Sequence, residues 1–181
     1  ILISHAHSDH LGDAPEIAGR NGAELVSTPE VLHLCEERVP GLRQHPMNLG
    51  GSLHLPFGKV RMTMAKHSSG VAGGIACGYV LYIGGLQIYF AGDTALFGDM
   101  QLIGRKDEID YAILPIGDNY TMGLEDAALA AQWLNARHVI PVHYNTWPVI
   151  NQDVRHYNEL TEAMSRAEVH IVEPAATIEL D

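Results

Sequence analysis

Directly behind the four residues Ile-Leu-Ile-Ser, the chain sets His5, His7, Asp9 and His10 in the pattern H-x-H-x-D-H, with Asp13 three positions on. A loop needs no imidazoles to turn. Carboxylates and imidazoles crowded at the end of an apolar strand are also costly to desolvate unless something engages them. The arrangement recurs three times further along: "VRMTMAK" runs into His67, "LQIYFAG" into Asp93 and "HVIPV" into His143. A strand fixes the backbone while the loop beyond it aims the side chain. The fold expected of this chain therefore brings these strand ends to one place.

Five imidazoles and two carboxylates suit borderline dications, Zn2+ first and Mn2+ or Fe2+ as alternatives, and a carboxylate between two ions can bridge them. The expected division puts His5, His7 and His67 on one ion and Asp9, His10 and His143 on a second, with Asp93 between. Two dications about 3.5–4 Å apart hold a hydroxide at neutral pH and clamp the oxygen that becomes anionic during attack. The chemistry expected is hydrolysis of an ester, lactone, amide or phosphoester by a metal-bridging hydroxide, with Asp9 as the catalytic residue that manages protons and a loop residue as the alternative.

Around these motifs the chain reads as a layered α/β architecture, with residues 1–181 as one domain. Residues 1–4 read as a buried strand, 11–20 as a helix and 24–27 as a strand. In "STPEVLHLCEERV", Thr28 is placed as N-cap and Pro29 at the first helical position, where a missing N–H costs least. From residue 46 to 92 short alternating runs are split by glycines, and Gly84-Gly85 marks a hairpin within an antiparallel meander. Beyond residue 95 helices and strands alternate. "DYAILPIGD" and "HVIPVHYN" read as strands, and Leu124, Ala127, Ala128, Ala131 and Leu134 share one helical face. Residues 153–165 read as a helix, and "EVHIVEP" and "ATIEL" as closing strands.

Composition narrows the partners. Eleven Lys and Arg against 22 Asp and Glu give a formal charge of −11. This weighs against a phosphate-backbone partner, and two bound dications would leave the balance acidic. No apolar run approaches the roughly 18 residues that span a bilayer, and no basic segment precedes a hydrophobic one as in a secretory leader. The expectation is a soluble cytoplasmic protein acting on a small molecule, without nucleic acid or membrane. Cys35 and Cys77 both lie in apolar runs and read as buried free thiols.

"HAHSDHLGD", "AKHSSG", "FAGDT" and "PVHYNT", in that order, resemble the metallo-β-lactamase superfamily. Within it, "FAGDTALFGDMQLIG", "LPIGDNYTMG" and "IPVHYNTWPVINQD" resemble a family of small bacterial and archaeal metal-dependent hydrolases, related more distantly to the ascorbate-6-phosphate lactonase type. The resemblance implies a four-layer αββα sandwich with a dinuclear site on one edge and the same donor set. The superfamily fold opens with several strands before the first motif, whereas this chain starts on the strand leading into it. With strands of about 5–6 residues plus turns, roughly 30–50 residues are expected to be missing. The expected macromolecular partners are accordingly a second copy of the chain or the absent opening segment.

Two loops are expected to open toward the ions and contact substrate: Asp118, Asn119, Tyr120 and Thr121 after "AILPIG", and Asn145, Thr146 and Trp147 after His143. The same residues also suit a turn at Asp118-Asn119 and packing at Trp147. His33, His45, His54, His138, His156 and His170 lack strand-end placement and read as surface or boundary residues. Ser68 and Ser69 have no spare His/Asp pair to activate them. Gly50-Gly51, Gly73-Gly74 and Gly84-Gly85 are turn residues outside any nucleotide-binding context. Three rivals stand beside the hydrolase: a nuclease of the same superfamily, which would need a basic channel; an oxygen-reducing di-iron protein, against which His7 speaks; and a metal-binding module without turnover.

Overall fold

The structure is a computed structural model of residues 1–181. Its elements run α1 (Ser8–Leu11), α2 (Ala14–Asn21), β1 (Leu25–Ser27), α3 (Pro29–Arg38), β2 (Gln44–Pro46), β3 (Ser52–Leu55), β4 (Gly58–Met64) and β5 (Cys77–Ile83). They continue as β6 (Leu86–Phe90), α4 (Met100–Lys106), β7 (Tyr111–Pro115), α5 (Leu124–Leu134), β8 (His138–Val142), α6 (Val154–Met164) and β9 (Glu168–Val169).

Three apolar clusters define four layers. One joins β1 to α2 and α3 through Leu25, Ala14, Ala18, Val31, Leu32 and Cys35. The second lies between the small sheet and the large one, where Val26 and Met47 meet Val60, Met62, Cys77 and Tyr79. The third covers the opposite face of the large sheet, where Val80, Tyr89, Ala112, Leu114 and Val139 pack against α4, α5 and α6. Residues 79 and 80 thus fall in different clusters, as the period of two along a strand requires. The result is the αββα sandwich.

The large sheet has the order β3-β4-β5-β6-β7-β8-β9. Strands β3 to β6 form an antiparallel meander, and β6 to β9 are parallel. Since β4 and β6 both run against β5, and β8 runs with β6, these three strands end on the same edge. Topology therefore gathers the exits toward His67, Asp93 and His143. The β5–β6 turn uses Gly84 and Gly85 at φ 63° and 90°, the left-handed pair that a tight hairpin demands.

Several local expectations meet a different outcome. Residues 1–4 form no full strand: Leu2 makes a single parallel bridge to Val26, and the Ile3 N–H donates to the Val26 carbonyl at 3.0 Å. Thr28 occupies the N-cap position of α3, but its side chain makes no cap bond and its buried hydroxyl has no partner. The helix start rests instead on Pro29. "ATIEL" is not a strand, because no neighbouring strand offers it a ladder of hydrogen bonds, and "EVHIVEP" keeps two strand residues. The β2 strand, polar and ending in Pro46, pairs in parallel with β1 and carries no alternation that reveals it. The two cysteines are free and buried. No helix is long and apolar enough to cross a membrane.

Candidate metal centre

The opening segment is pinned to the large sheet by its backbone. The Tyr79 hydroxyl donates to the Ile3 carbonyl at 2.8 Å, and the Cys77 N–H donates to the Ser4 carbonyl at 3.0 Å. His5, fully buried, emerges from this anchor. The loop after it is tied to the loop after β4 by the Ala6 N–H donating to the Ser69 carbonyl at 2.7 Å. The exits of β4 and β6 are joined in turn, because the Lys66 N–H donates to Thr94 Oγ1 at 2.9 Å. Gly92 turns the chain into Asp93 at φ 62°. A Cβ there would lie 2.9 Å from both the Ser4 Cβ and the Cys77 carbonyl oxygen, so only glycine fits.

These anchors bring the seven donors predicted from sequence together in two groups, His5, His7 and His67 in one, and Asp9, His10, Asp93 and His143 in the other. Within each group the donor atoms lie within 4.8 Å of one another. In the first, His7 Nδ1 is 3.0 Å from His5 Nε2 and 3.3 Å from His67 Nε2. In the second, Asp93 Oδ2 is 3.2 Å from both His10 Nε2 and His143 Nε2. The same oxygen is 3.6 Å from His67 Nε2, so one atom of Asp93 faces both groups. Asp9 Oδ2 completes the second group, 3.4 Å from His10 Nε2 and 3.6 Å from His143 Nε2.

The donor set fits a pair of dications. The buried Nε2 of His10 has no hydrogen-bond partner although two carboxylate oxygens lie near it. Such atoms point at a common centre rather than at each other. Ser4 Oγ lies 3.0 Å from His5 Nδ1 and holds the ring so that Nε2 faces the cluster.

Protonation favours the same use. Burial, reinforced by the neighbouring His10, pushes the His5 imidazole down to about 3. Burial lowers His67 as well, against the pull of Asp93. Burial works to raise the Asp93 carboxyl, yet the imidazoles of His10 and His143 close beside it outweigh burial and hold the group well below the usual carboxylate range. The hydrogen bond to Asp93 raises His143, against burial. At His5 and His67 the neutral imidazole beside an ionised Asp93 is the form that binds metal, whereas His143, raised by its carboxylate neighbour, gives up its proton when an ion enters.

The donors open into a cleft of about 600 Å³ bordered by Ser68, Tyr120 and Trp147, with no Lys or Arg in its wall. Tyr120 and Trp147 are 52% and 39% exposed, and Trp147 meets the His143 ring edge-on at 5.8 Å. The other loop residues expected to contact substrate, Asp118, Asn119, Thr121, Asn145 and Thr146, do not border this cleft. The Asp118 N–H donates to the Met122 carbonyl, and the Thr121 N–H donates to the Asp118 carbonyl, which closes a turn. Asn145 Oδ1 accepts from the Gln152 N–H at 2.7 Å and shapes its own loop. Asp118, Asn119, His143 and Asn145 all hold positive φ, and such strained backbone collects at functional sites. Ser4, Gly92 and Thr94 were not singled out by the sequence reading. Only their adjacency to His5 and Asp93 could have marked them.

A four-layer αββα sandwich with these donors gathered at one edge defines a metallo-β-lactamase fold. Residues 1–144 match the β-lactamase superfamily domain family. A "UPF0173 metal-dependent hydrolase" of Natranaerobius thermophilus is 47% identical over 181 residues, covering 100% of this chain and 81% of that protein. One from Pelotomaculum thermopropionicum is 46% identical, covering 99% and 82%. The solved structure of Igni18, described as a novel metallo hydrolase from Ignicoccus hospitalis, superposes with a TM-score of 0.90 at 38% identity, over 98% of this chain and 77% of that one. The chain belongs to the β-lactamase superfamily and, within it, to the family of these UPF0173 metal-dependent hydrolases.

Proposed function

We propose that the chain is a dinuclear metal-dependent hydrolase of small, uncharged carbonyl substrates: an ester, a lactone or an amide. The observation that carries this reading is the single oxygen of Asp93 facing both donor groups, 3.2 Å from His10 and His143 and 3.6 Å from His67. In this reading His5, His7 and His67 would hold one ion and Asp9, His10 and His143 the other, with Asp93 within reach of both groups. Two such ions, Zn2+ first, supply Lewis acidity and lower the pKa of water to near neutrality.

The chain's own residues do the rest. Asp9 borders the cleft with a side chain 45% exposed, where it can take a proton from water and return it to the leaving group. Tyr120 and Trp147 offer apolar surface on which the substrate's non-reacting part can rest. A wall without Lys or Arg leaves the ions alone to neutralise a phosphoester, which favours an uncharged carbonyl substrate, and it gives a nucleic-acid backbone no basic channel, so it does not support the nuclease reading.

The test is metal content followed by turnover. His7→Ala and Asp93→Ala should each lose one or both ions per chain by elemental analysis while circular dichroism stays that of the parent. Undiminished metal in both variants would overturn the ligand assignment. A panel of esters, lactones, amides and phosphodiesters, with labelled single-stranded RNA alongside, reads the substrate class. Turnover confined to RNA or phosphodiesters would replace this reading.

A further inference from the structure

A third group of donors lies at the other end of β8. His138, Glu168 and His170 bring donor atoms within 4.8 Å of one another. His138 and Glu168 sit directly opposite in the parallel β8–β9 pair, and His170, two residues on, returns to the same face of the sheet. That face is turned away from α4–α6, since Val139, next to His138, belongs to the cluster under those helices and Val169, between Glu168 and His170, packs against it. His170 Nε2 lies 3.0 Å from His138 Nδ1, and Glu168 carboxylate oxygens lie 3.7 Å and 4.0 Å from the two imidazoles.

The group is held rather than accidental. The His138 ring stacks on the buried Tyr111 at 4.6 Å between centroids and an interplanar angle of 20°. The backbone on either side of Val169 is fixed by the Glu168 N–H donating to the Arg137 carbonyl at 2.9 Å and the His170 N–H to the Val139 carbonyl at 2.8 Å. Five residue steps along the strand separate His138 from His143, about 16 Å at the usual rise, so this group is distinct from the centre described above.

We infer that His138, Glu168 and His170 form a separate binding site for a first-row divalent cation, Zn2+ first. Two imidazoles and one carboxylate are a three-ligand zinc set that leaves a fourth position to water. Nitrogen atoms 3.0 Å apart lie a few tenths of an ångström inside the roughly 3.4 Å between neighbouring ligands of a tetrahedral ion with Zn–N bonds of about 2.0–2.1 Å, so a small rotation of one ring seats both on one ion. The ion would tie the two-residue strand β9 to β8 and so lock the last strand of the large sheet. This inference does not depend on what the main centre holds or hydrolyses.

The test compares the chelator-treated parent chain with the double variant His138→Gln/His170→Gln and with Glu168→Ala, each titrated with Zn2+ and counted by elemental analysis. The double variant should bind one ion per chain fewer than the parent. Glu168, whose side chain is 69% exposed, can be removed without disturbing packing. Its loss should weaken one binding step by more than the roughly 10–100-fold that loss of a mere orienting partner costs. Excess Zn2+ should raise the parent's Tm more than that of either variant, and turnover at saturating metal should be unchanged in both. An ion count and affinity in Glu168→Ala equal to the parent's, with the same Zn2+-induced Tm shift, would overturn the site even if the double variant failed to fold.

Discussion

Ser4 illustrates how one small side chain couples packing to chemistry. Its carbonyl is bound to β5 and its hydroxyl orients His5. Ser4→Ala should leave the fold intact yet weaken metal binding by about 10–100-fold, measured by competition with a chromophoric chelator; equal affinity would show that the hydroxyl does not orient His5. Cys77 carries a second prediction. Burial pushes its thiol from the ordinary 9.0 up to about 11. The unfolded chain ionises first as pH rises, so the native state loses this contribution progressively between pH 9 and 11. Denaturant titrations at pH 8 and 10.5 should show a fall in stability that is smaller in Cys77→Ala, and at pH 8 a thiol reagent should label the protein only after denaturant is added. Residue types were legible in the sequence because donor chemistry is a property of the side chain alone. The roles of Ser4 and Gly92 were not, because each is defined by an atom brought from Cys77 or His5.

Elements were legible where their pattern is local. The face Leu124, Ala127, Ala128, Ala131 and Leu134 is buried along α5 as the helical spacing predicts, and the meander follows its glycines. Helix α6 has a cap that can be measured: Asp153 accepts from the N–H groups of Arg155 and His156 at 3.0 Å and 3.3 Å. Asp153→Ala should cost roughly 1 kcal/mol, read as a lower midpoint in urea, whereas Thr28→Ala, at a position without a cap bond, should cost less. Equal losses would deny the contrast between the two helix starts. Strand β2 escaped sequence reading because Gln44-His45-Pro46 has no periodicity of its own. "ATIEL" misled for the converse reason, since alternation without a partner strand does not make a ladder.

At the scale of the whole molecule, one buried ion pair locks helix to sheet. Arg61 of β4, pointing away from the small sheet, donates to Asp107 just beyond α4, and the Tyr82 hydroxyl donates to the other oxygen of the same carboxylate. Both charges are under one-tenth exposed, so Asp107→Ala strands a buried guanidinium and should cost about 3–5 kcal/mol, measured by equilibrium unfolding. A loss below 1 kcal/mol would mean the pair is solvated. Metal removal acts at the same scale: treating the loaded protein with a chelator should lower Tm, since ions that bind only the native donor clusters stabilise it. An unchanged Tm after demonstrated metal loss would separate the centre from stability.

Local pattern alone marked the candidate donors, the strands β4, β6 and β8 that lead to three of them and the layered class of the fold, because polarity and periodicity are written in neighbouring positions. The tertiary structure alone decided that Tyr120 and Trp147, rather than Asp118 or Asn145, face the cleft. It also decided that β1 and β2 pair in parallel, that Arg61 meets Asp107, and that His138 meets His170. Each of these depends on the direction of a side chain or strand relative to residues many positions away. That direction is fixed only when the sheets stack and the loops close over their shared edge.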